Sequence, residues 1–317
     1  RERDSGVIPM TVEHPPSISL AALDELWFQV AGTLCNLTCH HCFISCSPHN
    51  RSFGFLTLQA VEQRLEEARE LGVKEYYFTG GEPFLNPQMT AILVATLKYG
   101  PATVLTNGTV WKDEWLETLK RAAQESEYSL EFRVSIAGFS AQTNDPIRGE
   151  GTFDRALQGI QRLVQAGFLP IITATRTWPQ ASELEVIRKF RKLLGKVGYT
   201  RPRLKILPSL KIGAEAQRTS GYGLHDRVTS EMLDGYDQSQ LVCHQSRIVT
   251  DRGVHVCPIL IDSPDSLLGR SLKEAAIDFP LSHGACYTCF QYGSICTNLS
   301  SVSGSQHGPP APSQSHA

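Results

Sequence analysis

Three cysteines lie within the stretch Cys35-Asn36-Leu37-Thr38-Cys39-His40-His41-Cys42. Three thiolates at C-x3-C-x2-C spacing in one short loop can hold three corners of a cubane [4Fe-4S] cluster and leave the fourth iron without a protein ligand. An open coordination position is where a small molecule binds and reacts, as at a catalytic rather than a structural zinc site. A structural zinc knuckle is the competing chemistry. It needs a fourth ligand, which His40, His41 or Cys46 could supply, and it ordinarily uses paired C-x2-C units. Cys46 falls outside the spacing and reads as a loop or packing thiol. Downstream, Lys74-Glu75-Tyr76-Tyr77-Phe78 reads as a strand and runs into Thr79-Gly80-Gly81-Glu82-Pro83. Paired glycines let backbone approach a ligand closely because no Cβ intervenes. A strand end there exposes amides and carbonyls able to hold an ammonium or a carboxylate, although the same tetrapeptide alone is an ordinary turn.

A second group of thiols comes late in the chain: Cys243, Cys257, Cys286, Cys289 and Cys296. Residues 247–250 and 254–257 flank Asp251-Arg252-Gly253, a hairpin signal, and 267–277 reads as a helix packed over it. Four thiolates from this set suit a second iron–sulfur cluster, or a structural zinc ion in the ordinary tetrahedral site. His244 and His255 flank two of the cysteines and read as exposed hairpin residues.

These groups need a scaffold, and the chain shows a strand-then-helix rhythm. Strands are predicted near 26–31, 74–78, 102–106, 130–136, 169–175 and 203–207. Amphipathic stretches fall between them at 58–71, 89–98, 111–124, 153–166 and 182–194; in the first, Val61, Leu65, Ala68 and Leu71 recur at helical spacing. Short apolar strands alternating with helices predict a buried parallel α/β sheet, and periodicity alone leaves an open doubly wound sheet and a partial barrel as alternatives. Residues 1–24 form an extension. Residues 209–240, rich in glycine and polar side chains, read as a linker with one short helix, and 300–317, rich in Ser, Pro and Gly, as a disordered tail.

The cysteine loop and the Gly80-Gly81-Glu82-Pro83 turn, with Leu105-Thr106-Asn107-Gly108-Thr109, Val134-Ser135-Ile136-Ala137-Gly138 and Ile147-Arg148-Gly149-Glu150-Gly151-Thr152-Phe153, resemble the radical S-adenosylmethionine (SAM) superfamily. The resemblance implies a partial (β/α)6 barrel over residues 25–208 with its active site at the C-terminal ends of the strands. It implies that Cys35, Cys39 and Cys42 hold a [4Fe-4S] cluster whose open iron chelates the amino and carboxylate groups of SAM. An electron from the cluster then yields a 5′-deoxyadenosyl radical, which abstracts hydrogen from substrate. Gly80, Gly81 and Glu82 would line the methionine portion of SAM. Asn107 and Ser135, at strand ends, would hydrogen-bond its carboxylate or ribose, or else satisfy local backbone. Arg148 would pair with the carboxylate through its planar fork, or cap the loop before a helix N-capped by Thr152. Ile172 and Thr173 would lie against adenine or in barrel core. The chain departs from the family pattern at His41, where an aromatic residue is usual, and at Ala137, where many relatives carry an acid.

Residues 209–299 resemble a twitch domain, the reduced form of the SPASM auxiliary-cluster module, with five cysteines instead of seven. That resemblance implies a second [4Fe-4S] cluster on Cys243, Cys257, Cys286 and Cys289, with Cys296 as an alternate ligand. The expected activity is a net two-electron oxidation of a small-molecule or peptide substrate, supplied with electrons by a reductant such as flavodoxin or ferredoxin. A peptide or protein maturase of the sulfatase-maturating type is the alternative, although few residues precede the first strand to form a leader-binding domain. A non-enzymatic electron carrier or sensor is the further alternative, and a SAM-binding turn speaks against it. No residue is singled out as proton acceptor. The formal charge of −2 gives no footprint for nucleic acid. No apolar run reaches the roughly 18 residues of a membrane span. Clustered cysteines suit metal ligation in a reducing cytoplasm better than disulfides.

Overall fold

The structure, a computed structural model, describes residues 14–179, 182–293, 295, 296 and 298. After a two-residue strand β1 (Ser17–Ile18), the predicted rhythm appears as β2 (Glu25–Gln29), α1 (Leu58–Leu71), β3 (Glu75–Thr79), α2 (Met89–Thr96), β4 (Ala102–Thr106), α3 (Asp113–Glu125), β5 (Leu130–Ser135), α4 (Ala141–Arg148), α5 (Thr152–Gln165), β6 (Ile171–Thr175), α6 (Glu183–Lys196) and β7 (Arg203–Leu207). Strands β2 to β7 are parallel and lie in sequence order across the sheet. Unreversed order keeps every crossover on one face, the arrangement of a barrel wall.

Period-two alternation then sorts the side chains. Leu26, Phe28, Tyr76, Phe78, Phe132 and Val134 join the hydrophobic core with the helices. The intervening residues point to the other face, where Trp27 and Tyr77 stack at 4.4 Å. Helix α1 shows how the outer layer is set. Thr57 caps its N-terminus by accepting from Ala60 N, Val61, Leu65 and Ala68 are buried, and Gly72 ends it at φ 78°.

Four expectations are corrected. Helix α4 was not foreseen; it is capped by Ser140 and Thr143 and carries Pro146 inside it. Gly151 stands at the N-cap of α5, one position before Thr152. The stretch 209–240 forms two short helices, α7 (Ala214–Thr219) and α8 (Ser230–Leu233). Finally, 267–277 is not a helix. The hairpin β8 (Ser246–Thr250) and β9 (Gly253–His255) is followed by β10 (Leu267–Gly269), which pairs with β9. The buried Arg247 takes the carbonyls of Ala275 and Ile277 at 2.8 and 2.9 Å, carbonyls that a helix would have used or capped.

The hairpin does not stand apart from the barrel wall. Strand β8 pairs in parallel with β2, so one nine-stranded sheet runs in the order β10-β9-β8-β2-β3-β4-β5-β6-β7. Strand β11 (Phe279–Pro280) pairs with β1, and helix α9 (Gly284–Tyr292) carries Cys286 and Cys289. The tail beyond residue 298 lies outside the described residues.

Candidate active site

The cysteine loop leaves β2 and is closed on itself by Cys35 N to Ser47 O (3.1 Å) and Ser47 N to Thr33 O (3.3 Å). The turn after β3 is pressed onto its root. Gly81 N donates to Gly32 O at 2.9 Å and Glu82 N to Leu34 O at 3.0 Å. A Cβ on Gly81 would stand 2.0 Å from Leu34 O, so a side chain there would force the two loops apart. The glycines thus permit backbone to meet backbone as well as ligand.

Glu82 is fully buried. Its carboxylate accepts from Phe84 N, Thr106 Oγ1 and Asn107 N at 3.1, 2.8 and 2.8 Å. Burial pushes its pKa up to about 7 against those bonds. It braces the end of β4 instead of facing the cavity. Asn107 in turn donates to Asn36 Oδ1 at 2.8 Å, and Asn36 donates to Thr109 Oγ1, so the β4 loop grips the cysteine loop from the side. On the opposite wall His40 N bonds Ile147 O at 2.8 Å. That contact brings the last turn of α4, and with it Arg148, beside Cys39. Asp145 fixes this turn by accepting from Gly151 N and Phe153 N at 2.9 Å each.

Cys35, Cys39, Cys42, Gly80, Gly81, Asn107, Ser135 and Arg148 line one cavity of about 910 Å³, together with His41 and Cys46. Ser135 is bonded to Thr173 Oγ1 at 3.0 Å, and Thr173 also lines the cavity whereas Ile172 lies in the core behind it. Arg148 is 8% exposed, its Nε has no hydrogen-bond partner, and its charge is felt at Cys39, Cys42 and Glu82. Burial pushes the Cys35 thiol up to about 12 and Cys39 in the same direction. Cys42 moves down to about 7, chiefly because the Cys46 thiol donates to it, with Cys46 N adding a bond at 3.3 Å. Cys46 is thus the buried neighbour of a candidate ligand. The His41 imidazole, pushed down to about 3 by burial and by the positive charge of Arg148, is neutral, and neither ring nitrogen has a partner.

This donor set fits a cluster. Dry thiols resist ionisation unless cationic metal stands against them, and the open cavity with an unsatisfied guanidinium has room and charge for an anionic ligand. Among the described residues no group of three or more His, Cys, Asp or Glu converges on a single-ion position. Ligands of a cubane sit on separate irons and need not converge.

Cys243, Cys257, Cys286 and Cys289 share a second pocket of about 330 Å³, in which every other lining residue is apolar, Leu241, Val256, Leu260 and Phe279 among them. Burial raises all four thiols, Cys257 to about 11 and Cys286 to about 12. Cys296 is not in this pocket. It lines a third space of about 670 Å³ inside the barrel, with Trp27, His41, Thr79, Arg133 and Leu207. His255, expected at the surface, is buried, with Nδ1 2.9 Å from Ser266 Oγ, while His244 Nδ1 lies 2.9 Å from Ser19 O.

Residues 30–179 match the Radical SAM superfamily model. This chain carries a radical SAM domain. It is 33% identical over 175 residues to the AdoMet-dependent heme synthase of Methanosarcina barkeri, covering 55% of this chain and 48% of that protein. It is 29% identical over 177 residues to the mycofactocin maturase of Mycobacterium tuberculosis, covering 55% and 43%. The chain therefore spans about half the length of the curated relatives it matches. In fold it is similar to Streptococcus suis SuiB bound to precursor peptide SuiA, with TM-score 0.63 and 16% identity over 86% of this chain and 72% of that one. Among the described residues no helix is long and apolar enough to cross a membrane.

Within the radical SAM domain the structure adds residues that motif reading passed over. Asn36 and Thr106 knit the loops together, and Arg133 lines both barrel cavities. Asn36 and Thr106 carry no signal until their partners are known. Arg133 does carry one: a basic residue inside Leu-Glu-Phe-Arg-Val-Ser, two positions before Ser135 and so on the same face of β5.

Proposed function

We propose that this chain is an iron–sulfur oxidoreductase in which Cys35, Cys39 and Cys42 hold a [4Fe-4S] cluster and Cys243, Cys257, Cys286 and Cys289 hold another. Bound in the first cavity, the cluster and SAM would supply the radical chemistry for hydrogen abstraction from substrate. The rest is the work of side chains. Gly80 and Gly81 keep the β3 turn against the cysteine loop and line the cavity that would hold the ligand. Arg148 offers its unused fork to the SAM carboxylate. Asn107 and Glu82 hold the loop in register, and the surrounding wall keeps water from a reactive intermediate. Four thiolates around the second pocket leave no vacant ligand position, which suits electron uptake from substrate and a net two-electron oxidation.

The observation that carries this reading is that the three cysteines of one loop line one pocket while Cys243, Cys257, Cys286 and Cys289, distant in sequence, converge on another. With it goes the proposed division into a barrel at 25–208 and a cluster-bearing unit at 209–299, the two joined through the pairing of β8 with β2. A peptide or protein side chain is the favoured substrate class, because one relative of this domain is named a mycofactocin maturase, another a bacteriocin biosynthesis protein, and the SuiB neighbour is bound to a precursor peptide. A reductant such as flavodoxin or ferredoxin would supply electrons.

Iron and sulfide content of anaerobically reconstituted protein tests the assignment. The parent is expected to hold about eight irons and the Cys35→Ala/Cys39→Ala/Cys42→Ala variant about four. Only the parent should convert SAM to 5′-deoxyadenosine under strong reductant. About four irons in the parent and almost none in the variant would remove the second cluster. Absence of 5′-deoxyadenosine from the fully loaded parent would remove the enzymatic reading.

A further inference from the structure

The interior of the barrel holds a cation that the chemistry so far leaves unused. Arg133 projects from β5 on the face shared with Glu131 and Ser135, and it is 2% exposed. Among the described residues its only hydrogen bond runs from Nη1 to the Cys296 carbonyl at 2.7 Å, and its Nε is buried with no partner. A guanidinium has five N–H donors. Leaving most of them dry and unmatched costs far more than a surface arginine would. Arg133 also stands at the common wall of the 910 Å³ cavity that holds the cysteine loop and the 670 Å³ space beneath it.

The surroundings do not neutralise it. Lys205 on β7 is a second buried cation, near enough for the two charges to repel. The carboxylate within range is Glu25, and it too is disfavoured as an anion by burial. Apart from Arg133 and the uncharged Thr79, Thr175 and His41, the lower space is lined by apolar residues, including Trp27, Phe43, Leu105, Leu207 and Ile259, and by Cys296. An apolar chamber with one under-used planar fork suits a single negative charge on an otherwise apolar body. A phosphate dianion would need more donors than this wall offers.

We infer that Arg133 is a substrate-recognition residue that receives a carboxylate of the substrate through its Nε and free Nη donors, drawing the substrate into the barrel below the SAM cavity. The inference rests on the reading of that chamber as the substrate site. The carboxylate can belong to a chain terminus or to an acidic side chain, and the test separates the two.

Reconstituted protein with its clusters oxidised and saturated with SAM, so that Arg148 is occupied, is titrated calorimetrically with two probe pairs. N-acetylphenylalanine against N-acetylphenylalaninamide reads a terminal carboxylate. N-acetylaspartylphenylalaninamide against its asparaginyl counterpart reads a side-chain carboxylate. In at least one pair the acid is expected to bind ten-fold or more tighter than its neutral partner, and Arg133→Gln should bring that ratio close to one. Arg133→Lys retains a charge but loses the fork, and should fall between the two. Iron content and thermal midpoint report whether each variant is folded, and if Arg133→Gln is not, the Lys variant carries the test. No preference in either pair for the parent, or a preference that survives in the folded variants, overturns the inference. Because formation of 5′-deoxyadenosine by the parent is read separately, failure here is distinguishable from failure of the radical chemistry.

Discussion

Glu25, at the start of β2, shows how the barrel interior treats charge. Burial, ahead of the opposing hydrogen bond from Trp27, lifts its carboxyl from the ordinary 4.5 to about 7. Glu82 is raised from 4.5 to about 7 for the same reason. An acid whose folded pKa is raised binds its proton more tightly in the folded chain. Its contribution to stability is therefore present below the unfolded value and is lost as pH rises from about 4.5 to about 7. For Glu25 this amounts to about 3 kcal/mol. Lys205, held down from 10.5 to about 8 chiefly by burial, acts in a separate window above pH 8, where its penalty is relieved as the proton leaves. His41 and His255, which burial holds at about 3 and about 4 against the ordinary 6.5, act in the opposite sense up to pH 6.5 and offset much of the carboxyl loss in the parent. The clean readout is the difference between chains: from pH 5 to about 7 the urea midpoint of Glu25→Gln should climb relative to the parent's, because the variant no longer carries the Glu25 loss. A variant slope equal to the parent's would show that Glu25 already titrates normally in the folded chain.

At the scale of elements, the two motifs act as one clasp, and the clasp is steric. Gly81 does not owe its identity to a positive φ; an added methyl would simply meet Leu34 O at 2.0 Å. Gly81→Ala should therefore displace the cysteine loop and cut iron at the first site severely, leaving the second site's complement of about four irons in place. Iron per chain falling from about eight to about four would match, whereas an unchanged count would mean that the loops separate without harm. Much of this level was legible beforehand. The six strands and five of the helices follow from periodicity, and the strand ends place the cysteine loop and Gly80-Gly81 at the rim. Helix α4 was not legible because Pro146 and the adjoining glycines read as loop, while its stability comes from the Ser140–Thr143 cap and the clamp by Asp145. The segment 267–277 misled in the opposite direction. Its helical pattern lost to carbonyl capture by Arg247, a long-range contact that no local pattern contains. Glu82 and Cys296 were visible as residues, but which way each side chain faces is decided by partners from other elements.

The whole molecule is held together across the boundary that the cysteine pattern suggests. Strand β8 continues the sheet from β2, so the hairpin supplies the hydrogen bonds that the β2 edge would otherwise lack. At the hairpin tip Asp251 Oδ2 accepts from Gly54 N at 2.8 Å, and Arg252 lies 4.2 Å above the Phe53 ring, which ties the tip to the end of the cysteine loop. Ala214 N bonds Cys42 O at 2.9 Å, fixing α7 against that loop from another side. At the opposite end of the barrel Asn298 donates to Thr103 and Glu131. Removing everything after Pro208 would therefore uncover a sheet edge, release the cysteine loop at two points and open the barrel floor. Such a fragment is expected to run as aggregate in size-exclusion chromatography and to retain far less than the four irons of an intact first site. The full chain should instead unfold in one transition, with near-ultraviolet dichroism of the barrel tryptophans and loss of cluster absorbance coinciding. A monomeric fragment holding about four irons would show that the barrel is independent of the hairpin. The shared sheet would then be a docking contact and not a condition of folding.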